Sequence, residues 1–297
     1  MMNFDKELEG LRKKAKTKEQ KYAVEQAAKN VSFRLRMESP FKKELKTYFG
    51  RQSSRIKRGL SIQSIEQELD RQYERVATGY KRNIKQGEDE LDDRVDVLIA
   101  GSAADRAVGI DKTTTEKYDR AVEEAKKQLA EEGNSNPTDR EVRIVAGNIF
   151  KTSNYGRIGT IALMETAFID DAINNEARAL SVELYETAAI TGNTSLAEEA
   201  NRISPSLTGD EIVRDISIGA SPASIMKKLK DRYKMWITMM DTKVRSFPFD
   251  HQTALFQKKK IDEPFIVSNE RLMRPRDTSY GASAGNVINC RCHAQDL

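Results

Sequence analysis

The residues best suited to chemistry sit together near the end of the chain. Cys290, Cys292 and His293 offer two thiols and an imidazole in one short stretch, and the other histidine, His251, lies upstream of them. Thiolate and imidazole suit zinc, and a tetrahedral site at Cys290, Cys292, His293 and His251 would staple a tail that has little core of its own. A competing reading follows from the spacing. Paired cysteines in structural zinc sites stand about two to four residues apart, because the chain must turn around the ion, whereas here the single residue Arg291 intervenes. Cys290 and Cys292 would then alternate on a short strand as small buried hydrophobes, with Arg291 turned toward a carboxylate. A nucleophilic cysteine with His251 or His293 as base and Asp250 as orienting acid is the least favoured reading.

Composition narrows the chemistry further. Two Cys and two His in 297 residues make neither a disulfide framework nor a metal enzyme with many ligands. No glycine-rich phosphate loop, nucleophile elbow or zinc-protease motif is present, and Gly156, Arg157, Ile158, Gly159 is too short for a dinucleotide fingerprint. No catalytic residue is therefore expected, and no cofactor beyond the candidate zinc. The adjacent carboxylates Asp170, Asp171 and Glu198, Glu199 diverge by about 100° on a helix and read as surface charges. Asp241 and Arg245, at i and i+4, would form an ion pair on a helix.

The charge is unevenly spread. Residues 1–60 hold 17 Lys and Arg against 7 Asp and Glu, or +10, which leaves −6 for the remainder of a chain whose total is +4. Arg12, Lys13, Lys14, Lys16 and Lys18, with Arg55, Lys57 and Arg58, are the candidate contacts to a nucleic acid or an acidic protein surface. Each neutralised phosphate would release condensed counterions. The alternative is a solvated, lysine-rich helix.

These residues must be positioned by a chain that is 38% hydrophobic and 32% charged, a balance that favours long solvated helices over a single thick core. The expected fold class is predominantly α-helical, α+β, with an extended helical N-terminal half and a small, loop-rich mixed α/β C-terminal module. Apolar spacing predicts a helix from Asn3 to about Ala28 and a second from Ser39, with Pro40 in its first turn and Gly50 as an interruption. Ile56, Leu60, Ile62, Ile65, Leu69, Tyr73 and Val76 continue a helical repeat. Acidic residues from Gly87 to Asp96 lead into Val97, Leu98, Ile99 and Ala100, which read as a helix approaching a buried contact, and Gly101 and Gly109 read as punctuation. The loop at 132–137 marks the expected boundary between a basic helical region, 1–133, and the module at 138–297. Thr138 to Glu141 has the form of a capping box. A richer apolar stretch starts at Ile158. Ser221 and Pro222 open a helix that would carry Ile225, Leu229, Tyr233, Trp236 and Ile237, and strand-like pieces lie at 264–267 and 286–289. No stretch has the roughly 20 apolar residues of a membrane span, and the first segment lacks the apolar run of a signal peptide, so a soluble intracellular protein without a membrane partner is expected.

One block is similar to a known family. It comprises Trp236, Ile237, Thr238; Asp241, Thr242, Lys243, Val244, Arg245; His251, Gln252, Thr253, Ala254, Gln257; then the residues at 261–265; Leu272, Met273, Arg274, Pro275, Asp277; and Gly281 onward to Asn289, Cys290, Arg291 and Cys292. It resembles the C-terminal module of phage Mu F-like minor head proteins, the head morphogenesis proteins of tailed bacteriophages. Ile161 to Thr166, with Glu165, looks like a variant of a helix in that family, with Leu163 where an Arg is usual. The resemblance covers about residues 140–293 and makes 138–297 the Mu F-like module. It implies a structural protein of the virion rather than an enzyme: a minor capsid component at the portal vertex, implicated in procapsid assembly and in DNA packaging or ejection. Its implied location is the phage head interior or portal vertex, and host cytoplasm during assembly. Its implied partners are the portal protein, then scaffold or major capsid protein, and double-stranded DNA. Glu165, Trp236, Asp241, Arg245, His251, Asn289, Cys290, Arg291 and Cys292 would form the module's internal scaffold. The alternative function is a particle-carried effector or enzyme that uses such a module for packaging.

Overall fold

The structure, a computed structural model, describes residues 4–84, 89–238, 251–277, 279–287, 290 and 292–297. Helices come first: α1 (Phe4–Lys14), α2 (Lys18–Lys57), α3 (Glu66–Ile84), α4 (Asp89–Glu131), α5 (Asp139–Tyr155), α6 (Ile158–Thr191), α7 (Thr194–Ile203), α8 (Leu207–Ser217) and α9 (Pro222–Lys230). Short elements follow: β1 (Tyr233–Ile237), a 3₁₀ turn at His251–Ala254, β2 (Lys258–Lys260), β3 (Phe265–Val267), β4 (Glu270–Leu272), α10 (Ala284–Val287) and β5 (His293–Asp296). The predominantly helical, α+β class expected from composition is the observed one.

Two compact units divide the chain, one of residues 34–173 and the other of residues 1–33 with 174–297. The expected boundary at 132–137 is not where they separate. That loop is the turn of a helical hairpin inside the first unit, where α4 packs on α5. Gly133, at φ +90°, closes α4, and Asn134 N–H reaches back to Leu129 O. Thr138 then opens α5 with the expected capping box: its hydroxyl accepts from Glu141 N–H at 3.3 Å, and Glu141 accepts from Thr138 N–H at 2.8 Å.

Within the 34–173 unit, α2 runs straight through Pro40 and Gly50, so no helix begins at Ser39. A proline inside a helix costs roughly 3 kcal/mol; buried Phe41, Leu45, Tyr48 and Phe49, which follow it on the same helix, supply the compensation. Gly147 lets α5 approach α2: a Cβ there would lie 3.1 Å from Ser53 O, and Ser53 Oγ donates to Gly147 O at 2.7 Å. The repeat from Ile56 to Val76 is interrupted at Gly59, φ +75°, before α3. Gly101 and Gly109 lie inside α4 rather than at its ends. Leu91 and Val95 face inward, while Val97 is exposed, because a helical repeat brings only every third or fourth residue to the packed face. Asp170 and Asp171 are not surface charges. Arg34, itself buried, bridges both carboxylates, and a single guanidinium fork is wide enough to span the divergence of adjacent residues. Of the other pair, on α7, Glu198 lies exposed and Glu199 is half-buried.

In the other unit the expected helix from Asn3 to Ala28 is two helices. Thr17 caps α2 by accepting from Gln20 N–H at 3.1 Å, and Gln20 Oε1 accepts from Thr17 N–H at 3.2 Å, a second capping box. Leu8, Leu11, Ala15, Ala23, Val24 and Ala27 pack against Met235, Ile237 and Leu297, so the first residues of the chain belong with the last. A separate cluster joins Tyr185, Ala188, Ala197, Ile212, Ile225 and Leu229 across α6 to α9. Ser221 caps α9 with Pro222 in its first turn, as expected. Tyr233, Trp236 and Ile237 leave the helical pattern and form β1, which pairs antiparallel with β2 on one side and β5 on the other, Ile237 opposite His293. Their spacing fits either period, and the pairing decides it. β3 and β4 form the expected strand at 265–267 and its hairpin, turned by Ser268 and Asn269 at positive φ. Asn286 and Val287 belong to α10, not to a strand. Among the described residues, no helix is long and apolar enough to cross a membrane.

Candidate metal centre

Strand alternation sorts β1 into two faces. Met235 and Ile237 turn toward the cluster of α1 and α2, and Trp236 turns the other way, into a small core with Ala254, Phe265, Val267, Leu272, Cys290 and Cys292. The Trp236 indole meets Phe265 edge-on, ring centroids 5.2 Å apart, and His251 at 6.0 Å. Its N–H donates to Thr238 Oγ1 at 3.1 Å, and that hydroxyl donates to His251 O at 2.7 Å. One buried tryptophan therefore fixes the 3₁₀ turn that presents His251.

His251, Cys290 and Cys292 converge, all buried, with their ligand atoms within 4.8 Å of one another. His251 Nδ1 lies 3.4 Å from Cys292 Sγ and 3.5 Å from Cys290 Sγ. On the far side of the ring, Nε2 is 3.0 Å from Asn286 Oδ1. The Asn286 amide is itself fixed, since Nδ2 donates to Glu270 Oε2 at 2.7 Å and to Val267 O at 3.3 Å. With the amide nitrogen committed there, its oxygen must accept, so Nε2 carries the proton and Nδ1 presents a lone pair to the two sulfurs. Glu270 also accepts from Ser283 N–H at 2.8 Å, and these hydrogen bonds, led by that from Asn286, hold its carboxyl below the usual carboxylate range.

The sulfurs are held from behind. Arg276 donates from Nη1 to Cys290 O at 2.8 Å and to Cys292 O at 3.2 Å. Its backbone sits at φ +67°, a conformation that costs a non-glycine residue energy and is retained where the surroundings demand it. The Cys290 thiol is pulled well below its ordinary value by the hydrogen bond with Cys292, with His251 and Arg276 adding to the effect, while burial pushes Cys292 up. A single Nδ1 lone pair can take one S–H hydrogen. Two sulfurs at equal distance fit a cation held among all three groups, and the group could hold a metal ion.

His293 is not part of this group. One step beyond Cys292 and already on β5, its Nε2 lies 3.0 Å from Asn30 Nδ2 and 3.2 Å from Gln295 Oε1. Cys290 and Cys292 precede β5 rather than alternating on it. Held at Nε2 by Asn286 and facing both sulfurs with Nδ1, the His251 ring is placed as a ligand would be. Asp241, Arg245, Asp250, Asn289 and Arg291 lie outside the described residues, so the proposed Asp241–Arg245 pair and the carboxylate for Arg291 do too. Asn286 and Thr238 stood inside the recognised block without a role. Glu270 and Arg276 were missed, and no local pattern marks them.

The remaining candidates lie elsewhere. Glu165, in the 34–173 unit, is buried on α6 and accepts from Tyr73 Oη at 2.8 Å and from Arg106 Nε and Nη2 at 2.9 and 2.6 Å. Arg12 to Lys18 stand on α1 and the start of α2 in the other unit, where Arg12 is forked onto Glu25 and Lys13 is paired with Glu9 at 2.6 Å. Arg55 and Lys57 end α2 in the 34–173 unit, and Arg58 lies in the turn after it. No protein-family model, curated protein or solved structure matches the chain.

Proposed function

We propose that the chain is a minor capsid protein of a tailed bacteriophage, acting by assembly at the portal vertex, and that zinc staples its C-terminal module. The observation that carries the reading is the convergence of the recognised tail block. Trp236, Thr238, His251, Asn286, Cys290 and Cys292, scattered over the sequence, share one buried cluster that could hold a metal ion.

The ligand geometry supports zinc in particular. Thiolate at about 2.3 Å and imidazole nitrogen at about 2.0 to 2.1 Å from a tetrahedral ion stand about 3.5 Å apart, and the two N···S separations are 3.4 and 3.5 Å. Asn286 would act behind the ligand, fixing ring and tautomer as outer partners of metal-bound histidines do. Bound zinc would supply cross-linking between the 3₁₀ turn and the chain ahead of β5. The basic segments would face the portal protein, scaffold or major capsid protein, or packaged DNA. The test is biochemical: purified procapsids and virions should contain the protein in low copy. Its absence from both sinks the assembly reading, and metal analysis returning no zinc sinks the staple.

A further inference from the structure

The last turns of α2 carry Arg51 and Arg55 at i and i+4, and Arg58 follows in the turn directly after the helix; all three line one cleft. Like charges at that spacing weaken a helix unless anions answer them. One carboxylate does. Glu68 on α3 pairs with Arg51 and also lies 4.0 Å from Arg71, so its single charge is shared. Arg55 and Arg58 are oriented by their Nε atoms alone, which donate to Ser61 O at 2.8 Å and Ser54 O at 3.3 Å. Among the described residues their Nη edges have no hydrogen-bond partner.

These edges line a cleft of about 430 Å³. It exists because the chain doubles back at Gly59: Leu60 N–H bonds Arg55 O, Gly59 N–H bonds Ile56 O, and the positive φ of Gly59 completes the turn. Tyr48 Oη then donates to Gln63 O at 2.7 Å, and Gln63 N–H donates to Gln52 Oε1 at 2.9 Å, which holds the returning segment beside the helix. Thr47 and Ser54 also line the cleft, but their hydroxyls donate to carbonyls one turn back. The donors left for an occupant are the guanidinium groups and the Gln63 amide. No carboxylate and no apolar side chain lines the wall.

Each feature selects the occupant. Guanidinium forks match the paired oxygens of a phosphate. The last two turns of α2 and the turn after it spread the cations over about 10 Å, longer than one small anion and suited to a run of charges on a polymer. A protein partner would want an apolar anchor, and the cleft has none. We infer that this cleft binds the phosphodiester backbone of a nucleic acid without sequence preference. This commits the basic residues to one of the partners named above, yet it rests on the cleft alone and can succeed or fail whether or not the protein is found in particles.

The test uses the full chain and a short labelled duplex of mixed sequence, with binding read by anisotropy between roughly 50 and 200 mM salt. Arg55→Gln with Arg58→Gln should weaken binding about tenfold or more at the lower salt and reduce the slope of log K against log salt by about two, one for each lost phosphate contact. Arg55→Lys with Arg58→Lys keeps the charge and the helix but not the fork. It should keep the slope and lose several-fold in affinity, so that a misfolded Gln variant would not leave the question open. Wild-type affinity and slope in a folded Gln variant overturn the inference. So does a poly-glutamate peptide that binds as tightly as the duplex and is lost in the same variant, since the occupant would then be an acidic protein segment.

Discussion

The 34–173 unit and the tail from β1 onward both bury polar groups, and they use them differently. In the helical unit, Glu165 takes three hydrogen bonds from Tyr73 and Arg106, Gln72 donates to Thr166 Oγ1 at 2.8 Å, and Arg34 bridges Asp170 and Asp171. The same unit buries Phe41 and Phe49 of α2, Leu69 of α3 and Phe150 of α5. Its polar contacts lie along the interfaces between helices of one unit. The tail has strands of three to five residues and a core of seven buried side chains, two of them cysteines. There the polar groups converge on a point instead of spreading along an interface. These elements are too short to bury much surface, and the converging His251, Cys290 and Cys292 could hold a metal ion.

The largest test of that contrast is metal removal. A chelator, or Cys290→Ser, should cost the tail on the order of 10 kcal/mol of metal-linked stability and shift the emission of Trp236, the one tryptophan of the chain, while most helical circular dichroism persists. Equal loss of both signals would mean that the two regions are not separately held. Next comes Glu165→Ala, which removes the acceptor of buried Tyr73 and of the partly exposed Arg106 and should destabilise the helical unit by about 1 to 3 kcal/mol in urea unfolding with native tryptophan emission unchanged. Asn286→Ala should lower metal affinity about 10- to 100-fold in competition with a chelator, because the ring loses the partner that fixes its tautomer. An affinity equal to wild type would remove Asn286 from the site. Thr138→Ala should cost about 1 kcal/mol through its lost cap, again on the helical side and with no effect on metal content.

The smallest effect near neutrality is a pH dependence with a rising and a falling limb. Burial lowers the Lys234 ammonium to about 8 from an ordinary 10.5, so between those values the unfolded chain holds a proton that the folded one has released. Stability should therefore rise with pH across that window. Tyr22, Tyr48, Tyr73 and Tyr185 are all raised above 10.0, chiefly by burial. Above pH 10 the unfolded chain loses protons that the folded chain keeps, and stability should fall. Lys234→Met should flatten the rising limb alone, since Lys234 belongs to the tail and the tyrosines to both units. Urea midpoints measured across the range would show it.

Much of the local structure was legible. The caps at Thr138 and at Ser221 with Pro222 follow from side-chain oxygens placed to accept the first free N–H groups of a helix, which needs only neighbours in sequence. The cap at Thr17 obeys the same rule but hides inside a continuous apolar stripe. Pro40 and Gly50 misled for the opposite reason, because their local cost is outweighed by aromatic burial contributed from elsewhere in the chain. At β1 the apolar spacing suits helix and strand alike, and only pairing with β2 and β5 separates them.

The sequence by itself determined the helical class, the charge imbalance of the first sixty residues, and that cysteine and histidine near the end were the groups to examine. Tertiary structure decided which of them meet. It removed His293 from the ligand set by a single step onto β5, brought His251 onto both sulfurs, and recruited Asn286, Glu270 and Arg276 to hold them. It also joined residues 1–33 to residues 174–297, which no local pattern announces. The physical reason is range. Propensity, capping and charge act over one helical turn, whereas ligation and burial depend on distances in space between residues far apart in the chain.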